Sequence, residues 1–239
     1  MRGKLILFPV SIGAEIEASL PAYNQAWLNR CHIFIVEEVR TARRNLIKMG
    51  YQHPMDEVTF LELNEHTREE EIADYLDPIE RGEHIGLMSE AGLPCIADPG
   101  SLITRKAQLL GIEMVPLVGP SSLLLALMGS GFNGQNFAFA GYLPIDAAER
   151  QSRLRTMEQR IYKESQTQII IEAPYRNDKL LKELSSKLQP TTLICVACDI
   201  MLPTQYLRTL PARQWGVLLD DADKPLSFHK RPAIFLLYR

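Results

Sequence analysis

The chain has 239 residues, with 26 Lys and Arg against 29 Asp and Glu and a net charge of −3. Together with 46% hydrophobic residues, this describes a globular protein with a large core and excludes an overall electrostatic hold on nucleic acid. The cysteines, Cys31, Cys95, Cys195 and Cys198, are too scattered for a disulfide framework, and no stretch approaches the roughly 20 apolar residues of a membrane span.

Two basic residues and the apolar run Leu5 to Val10 imitate a signal peptide, but the run is short and no A-x-A site follows. Lys4 to Val10 therefore reads as a first strand of a soluble, cytoplasmic protein. A helix is predicted over Ser19 to Asn29, a buried strand over Ile33 to Val36, and a helix from Thr41 to Met49 ending at Gly50. Val58 to Leu63 reads as a strand, Thr67 to Arg81 as a charged helix, and His84 to Ser89 as a strand. A Gly/Pro-rich loop, a helix over Leu102 to Leu110 capped by Gly111, and the strand Ile112 to Pro116 follow. Alternation of this kind is the signature of a mostly parallel sheet.

Ser121 is placed to cap an apolar helix running to about Met128, and glycine and asparagine break the chain at 129–134. Beyond lie a strand over Phe137 to Tyr142, a long polar helix over Ala147 to Lys163, a strand over Gln168 to Glu172 and a helix over Asn177 to Leu188. Strands near Leu193, Gln205 and Ile234 are close together in sequence, which favours a partly antiparallel sheet. Two α/β domains result, 1–117 and 118–239.

Ligands of open α/β sheets bind beyond the carboxyl ends of the strands. The loop from Ser89 to Gly100, S-E-A-G-L-P-C-I-A-D-P-G, places two carboxylates among small and rigid residues where backbone can approach a ligand closely. Asp98 can equally cap the next helix, and Glu90 can be solvated. The first strand-to-helix turn, Pro9 to Gly13, has neither G-x-G-x-x-G nor a P-loop, and no G-x-S-x-G elbow occurs. Cys195 and Cys198 form a C-x-x-C inside a β-branched run, where residues three apart face opposite sides of a strand. The five histidines show no ligand spacing, so no metal is expected.

Ser89 to Gly100 closely resembles the S-D-A-G-T-P-L-I-S-D-P-G segment of the bacterial 16S ribosomal RNA ribose 2′-O-methyltransferases, members of the tetrapyrrole-methylase superfamily. Glu37-Glu38-Val39-Arg40 resembles the family's E-D-T-R, Gly119 to Leu124 its G-P-S-A-L-L, and Glu172 to Arg176 its E-S-P-H-R, in the same order. The resemblance implies two α/β domains, the first with a mostly parallel sheet and the second mixed, with S-adenosylmethionine in the cleft between. It also implies a homodimer. Carried over by position, the cofactor contacts fall at Ile12, at Ser89, Glu90, Ala91, Gly92 and Leu93, and at Ser121 and Ser122. In the second domain they fall at Ile171, Ala173, Pro232 and Ala233.

For the chemistry, Glu38 is the candidate general base, because it ends a buried strand and matches the family's acid. Arg40 would hold Glu38 or an anionic acceptor, and Glu172 with Arg176 is the comparable pair of the second domain. Each of these also fits an ordinary helix-end ion pair. Arg40, Arg43, Arg44 and Lys48 on one short helix, and Arg150, Arg153, Arg155, Arg160 and Lys163 on another, offer local phosphate contacts.

The chain also departs from the family. T-P-I-G-N reads Ser11-Ile12-Gly13-Ala14, H-E-H-N-E reads Leu61-Glu62-Leu63-Asn64-Glu65, and R-E-L-T-K-x-H-E-E reads Cys198 to Gln205 without the basic and paired acidic residues. The expected function is S-adenosylmethionine-dependent methylation of RNA, ribosomal RNA ribose first. Alternatives are methylation of a small molecule or tetrapyrrole, and a cofactor-binding factor without catalysis.

Overall fold

The computed structural model describes residues 2–13, 15–64, 67–68, 70–72, 74–221, 223 and 226–239, with Glu17 described by its backbone alone. Ala14 and Glu65, which fall within the altered family motifs, lie outside the described residues. Two compact units divide the chain, Met1–Ser121 and Ser122–Arg239.

In the first unit the apolar runs become β1 (Leu5–Phe8), β2 (Cys31–Val36), β3 (Thr59–Glu62), β4 (His84–Met88) and β5 (Met114–Pro116). They form one sheet in the order β3-β2-β4-β1-β5, with every pairing parallel. Such strands need both faces covered. α1 (Ile16–Ser19), α2 (Tyr23–Leu28) and α3 (Val39–Lys48) bury Leu28, Ala42 and Leu46 against Ile6, Phe8 and Phe34 on one face. On the other, α4 (Asp77–Glu80) and α5 (Ser101–Leu109) bury Ile79, Ile103 and Ala107 against Leu5, Ile35 and Leu87.

The chain thus leaves β1 toward β2 across one face and leaves β4 toward β5 across the other. Because β1 and β4 are neighbours, their carboxyl ends form a topological switch point. There the two following loops diverge to opposite faces and leave a crevice.

The second unit carries β6 (Phe137–Tyr142), β7 (Thr167–Ile171), β8 (Leu193–Cys198), β9 (Tyr206–Pro211) and β10 (Ala233–Tyr238) in the order β6-β7-β10-β8-β9. β6 and β7 are parallel, and the other pairings are antiparallel, so the sheet is mixed as expected. α7 (Ala147–Glu164), α8 (Asn177–Lys187) and α9 (Ala212–Leu219) cover one face through Leu154, Leu181 and Trp215. α6 (Ser122–Ser130) covers the other through Ala126 and Leu127. Cys195 packs with α6 and Cys198 with the opposite core, so the C-x-x-C straddles the sheet and both thiols are free. Burial pushes the Cys198 thiol up to about 11.

Three elements differ from the sequence reading. The helix expected over Ser19 to Asn29 is split, because the residue before a proline is driven from the helical region and Leu20, before Pro21, is extended at φ −123° and ψ 127°. The charged helix expected over Thr67 to Arg81 shrinks, among its described residues, to turns and the single turn Asp77–Glu80. Proline is tolerated only in a helix's first turn, so Pro78 sets the start there; Ile72, Leu76 and Ile79 reach the core nonetheless. Finally, α9 lies where the sequence suggested no element. Its Gly216 interrupts a short apolar stretch, and tertiary packing of Trp215 carries the helix instead.

Trp215 is fully buried and donates its indole N–H to the Ile194 carbonyl at 2.8 Å. Replacing it with alanine opens a cavity and is expected to cost about 3–5 kcal/mol, read as a fall in denaturant midpoint with an unchanged slope. A loss under about 1 kcal/mol contradicts the packing described.

Candidate cofactor and catalytic site

Three segments far apart in sequence meet at the β1/β4 switch point. The loop after β1 and the loop after β4 form an antiparallel bridge, Val10 N–H to Gly92 carbonyl at 2.8 Å and Gly92 N–H to Val10 carbonyl at 3.0 Å. Gly92 has φ +77°, a left-handed backbone that glycine adopts without penalty. A Cβ placed there would touch Ile12 Cγ2 and the Pro120 carbonyl, each at 3.5 Å. Gly119 is required for a different reason: a Cβ on it would lie 2.1 Å from Pro9 Cβ. Ile12, Gly92 and Pro120 therefore sit together, and Ser121 follows directly. Ser122 opens α6 in the second unit.

Ser89 is buried and spends its hydroxyl within the loop, 3.3 Å from the Ala91 and Gly92 carbonyls. Glu90 and Ala91 are exposed, and Leu93 is half-buried. Asp98 is the loop's internal brace, accepting N–H groups from Cys95 at 2.9 Å and Gly100 at 2.8 Å. Cys95 (φ 69°) and Ala97 (φ 62°) are left-handed non-glycine residues, each costing roughly 1–3 kcal/mol, and this bracing holds them. Asp98 does not cap α5, whose N-cap is Gly100 without a side-chain cap bond; it braces the loop instead.

At the end of β2 the two glutamates diverge. Glu38 is the N-cap of α3: one carboxylate oxygen accepts the Arg40 N–H and the other accepts the N–H and hydroxyl of Thr41, all at 2.7 Å. The Thr41 hydroxyl bond, then the Arg40 amide, hold its carboxyl below the usual range, which makes it a weaker base. Glu37 is half-buried; burial first, then the charges of Asp98 and Glu90, push its carboxyl up. The two neighbouring carboxyls are thus shifted in opposite directions, and only the fold, by bringing Asp98 and Glu90 beside Glu37, sets this difference. Arg40 is exposed, and Arg43 lies over the Phe60 ring at 5.4 Å.

In the second unit the expected positions also gather. Ile234 pairs with Ile171 and Ala233 with Cys198, which sets Pro232 and Ala233 beside the Ile171–Ala173 stretch at one sheet end. Glu172 is buried between two arginines, Arg176 at 2.7 Å and Arg150 at 3.3 Å. Arg150 also binds Glu183 at 2.7 Å, so it is not the free phosphate contact its helix suggested. The altered 198–205 segment has its own clasp: Arg231 donates to Asp199 at 2.8 Å and to the Thr204 carbonyl at 2.7 Å. Residues 32 positions apart carry no sequence signal for such a pair.

No family model matches the chain. Ribosomal RNA small subunit methyltransferase I of Pseudomonas aeruginosa is 34% identical over 161 residues, 67% of this chain and 56% of that protein. The namesake of Xylella fastidiosa is 32% identical over 80% of this chain and 68% of its own length. That of Leptospira borgpetersenii is 33% identical over 86% and 78%. The chain belongs to the ribosomal RNA small subunit methyltransferase I family. It spans 56%, 68% and 65% of the length of the first three curated relatives it matches. The fold is that of the tetrapyrrole methylases. The methyltransferase CobJ superposes with a TM-score of 0.65 at 15% identity, covering 99% of this chain and 94% of that one. Uroporphyrin-III C-methyl transferase from Thermus thermophilus, complexed with S-adenyl homocysteine, gives 0.60 at 14%, covering 99% and 98%.

Among the described residues, no group of three or more His, Cys, Asp or Glu is arranged to hold a metal, and no helix is long and apolar enough to cross a membrane. For this family member Glu37 gives a pH test. Its folded-state carboxyl is raised, so the folded state binds more protons than the unfolded one as pH climbs past the ordinary carboxylate range. The stabilisation is present at low pH and lost as pH rises through the raised value. The melting temperature of Glu37→Gln minus that of the parent should therefore increase with pH across this window. A constant or falling difference contradicts the assignment.

Proposed function

We propose that this chain transfers a methyl group from S-adenosylmethionine to small-subunit ribosomal RNA, with its two units serving as two domains. The observation that carries the reading is the meeting of Ile12, Gly92 and Pro120 at the switch point, on a chain of this family. The donor set fits the cofactor: an exposed carboxylate on Glu90, accessible backbone at Ala91 and Leu93, and the Ser121 and Ser122 hydroxyls suit hydroxyl, amino and carboxylate groups. Ile12 supplies apolar surface at the crevice, and Ile171, Ala173, Pro232 and Ala233 form the second unit's own apolar sheet end. Ser89 shapes the loop from within.

When bound, the cofactor supplies a methyl carbon on a positively charged sulfur. The protein's share is alignment of the acceptor and acceptance of the proton from a hydroxyl acceptor. Glu38 is assigned to positioning, since both its oxygens hold the start of α3 and thereby Arg40; the stronger base beside it is Glu37. Glu172 likewise positions Arg176. Arg40 is left to meet an anionic group of the acceptor. A cytoplasmic homodimer rests on the family resemblance alone.

Calorimetric titration with S-adenosylmethionine, followed by labelled-methyl transfer to purified small-subunit ribosomal RNA, tests the reading. Both signals are expected in the parent, and Gly92→Val, which sets a branched side chain at φ +77°, should lower transfer by roughly 100-fold. Binding without transfer to RNA moves the acceptor to a small molecule or removes catalysis, and absence of binding removes the cofactor assignment.

A further inference from the structure

A cavity of about 390 Å³ opens in the second unit between the start of α7 and the outer face of α8. Helical periodicity puts Lys179, Lys182, Ser186 and Lys187 on this face, and all four are exposed, while Leu180, Leu181 and Leu184 face the core. The back of the cavity is the Glu172–Arg150–Glu183 network with Arg176. Those two arginines and two glutamates balance, so the three lysines are surplus charge on a chain whose net charge is −3. Among the described residues Lys179 and Lys187 form no ion pair, and Lys182 reaches only Asp220 at 3.9 Å with both side chains 75% exposed, too wet to neutralise it. The rim is apolar at Ile145, 84% exposed; Tyr175, 62% exposed, lies outside the lining but its ring is 5.6 Å from the guanidinium of the lining residue Arg176.

We infer that this cavity binds the phosphodiester backbone of single-stranded RNA. Lysines give sequence-independent phosphate contacts, and the exposed Tyr175 next to Arg176 suits an unstacked base. The buried arginine–glutamate network holds the cavity's shape: Arg150 and Arg176, tied to buried carboxylates, form a fixed wall against which mobile lysines close on a phosphate. Overall negative charge does not oppose this, because the excess is local and within a Debye length of about 8–10 Å. The inference rests on the RNA reading above and names the surface that would carry it.

Fluorescence anisotropy with a labelled small-subunit ribosomal RNA transcript, between about 50 and 200 mM salt, tests it. The Lys179→Ala/Lys187→Ala variant should keep the parent's melting temperature, since both side chains are exposed. Its slope of log affinity against log salt should be shallower than the parent's by about 1.4–1.8, two contacts at roughly 0.7–0.9 each. Arg105→Ala/Arg213→Ala, which removes two exposed arginines outside the cavity lining, should leave the slope unchanged. If the parent binds and the lysine variant keeps its slope, the cavity is not the site and the RNA reading stands. A parent that binds no RNA overturns both.

Discussion

The site depends on backbone meeting backbone at the β1/β4 switch point. Two reciprocal hydrogen bonds join Val10 to Gly92, and Gly119 closes on Pro9 so tightly that no side chain fits between them. Parallel strands alone do not fix the loops that follow them. This bridge does, and it places Ile12 and Pro120 around one glycine. A side chain at either glycine would displace a loop rather than lose a single contact.

Strain and charge are distributed to support that junction. The β4 loop contains two left-handed non-glycine residues, Cys95 and Ala97, held by one carboxylate, Asp98, that accepts N–H groups on both sides. Asp98 is half-buried, and burial raises its carboxyl against the lowering effect of the Gly100 and Cys95 amides. It and Glu90 in turn raise Glu37. The same loop therefore braces the crevice and tunes the acidity of a neighbouring side chain, while the adjacent Glu38, committed to its helix, is tuned the other way.

Much of the fold is legible in the sequence because parallel strands buried on both faces leave continuous apolar runs such as Ile33 to Val36, and long amphipathic helices such as α7 keep their period. Where Pro21 and Pro78 interrupt apolar periodicity, local backbone sterics win, and both prolines were visible. α9 is different: its anchor, Trp215, gains its stability from a distant carbonyl on β8. The candidate site residues stand in the sequence as four ordered motifs, but their chemistry does not. Which of Glu37 and Glu38 is the stronger base, and whether Glu172 is free or pinned by Arg150, depend on partners far away in sequence.

We propose the β1/β4 crevice, beside the Val10–Gly92 bridge, as the place where the cofactor binds. Amide hydrogen exchange of the whole chain, with and without S-adenosylhomocysteine, tests it most directly. Protection should rise in segments 10–13 and 89–93, at both sides of the Val10–Gly92 bridge. Binding that leaves both segments unchanged while protecting others would place the cofactor elsewhere and contradict the account.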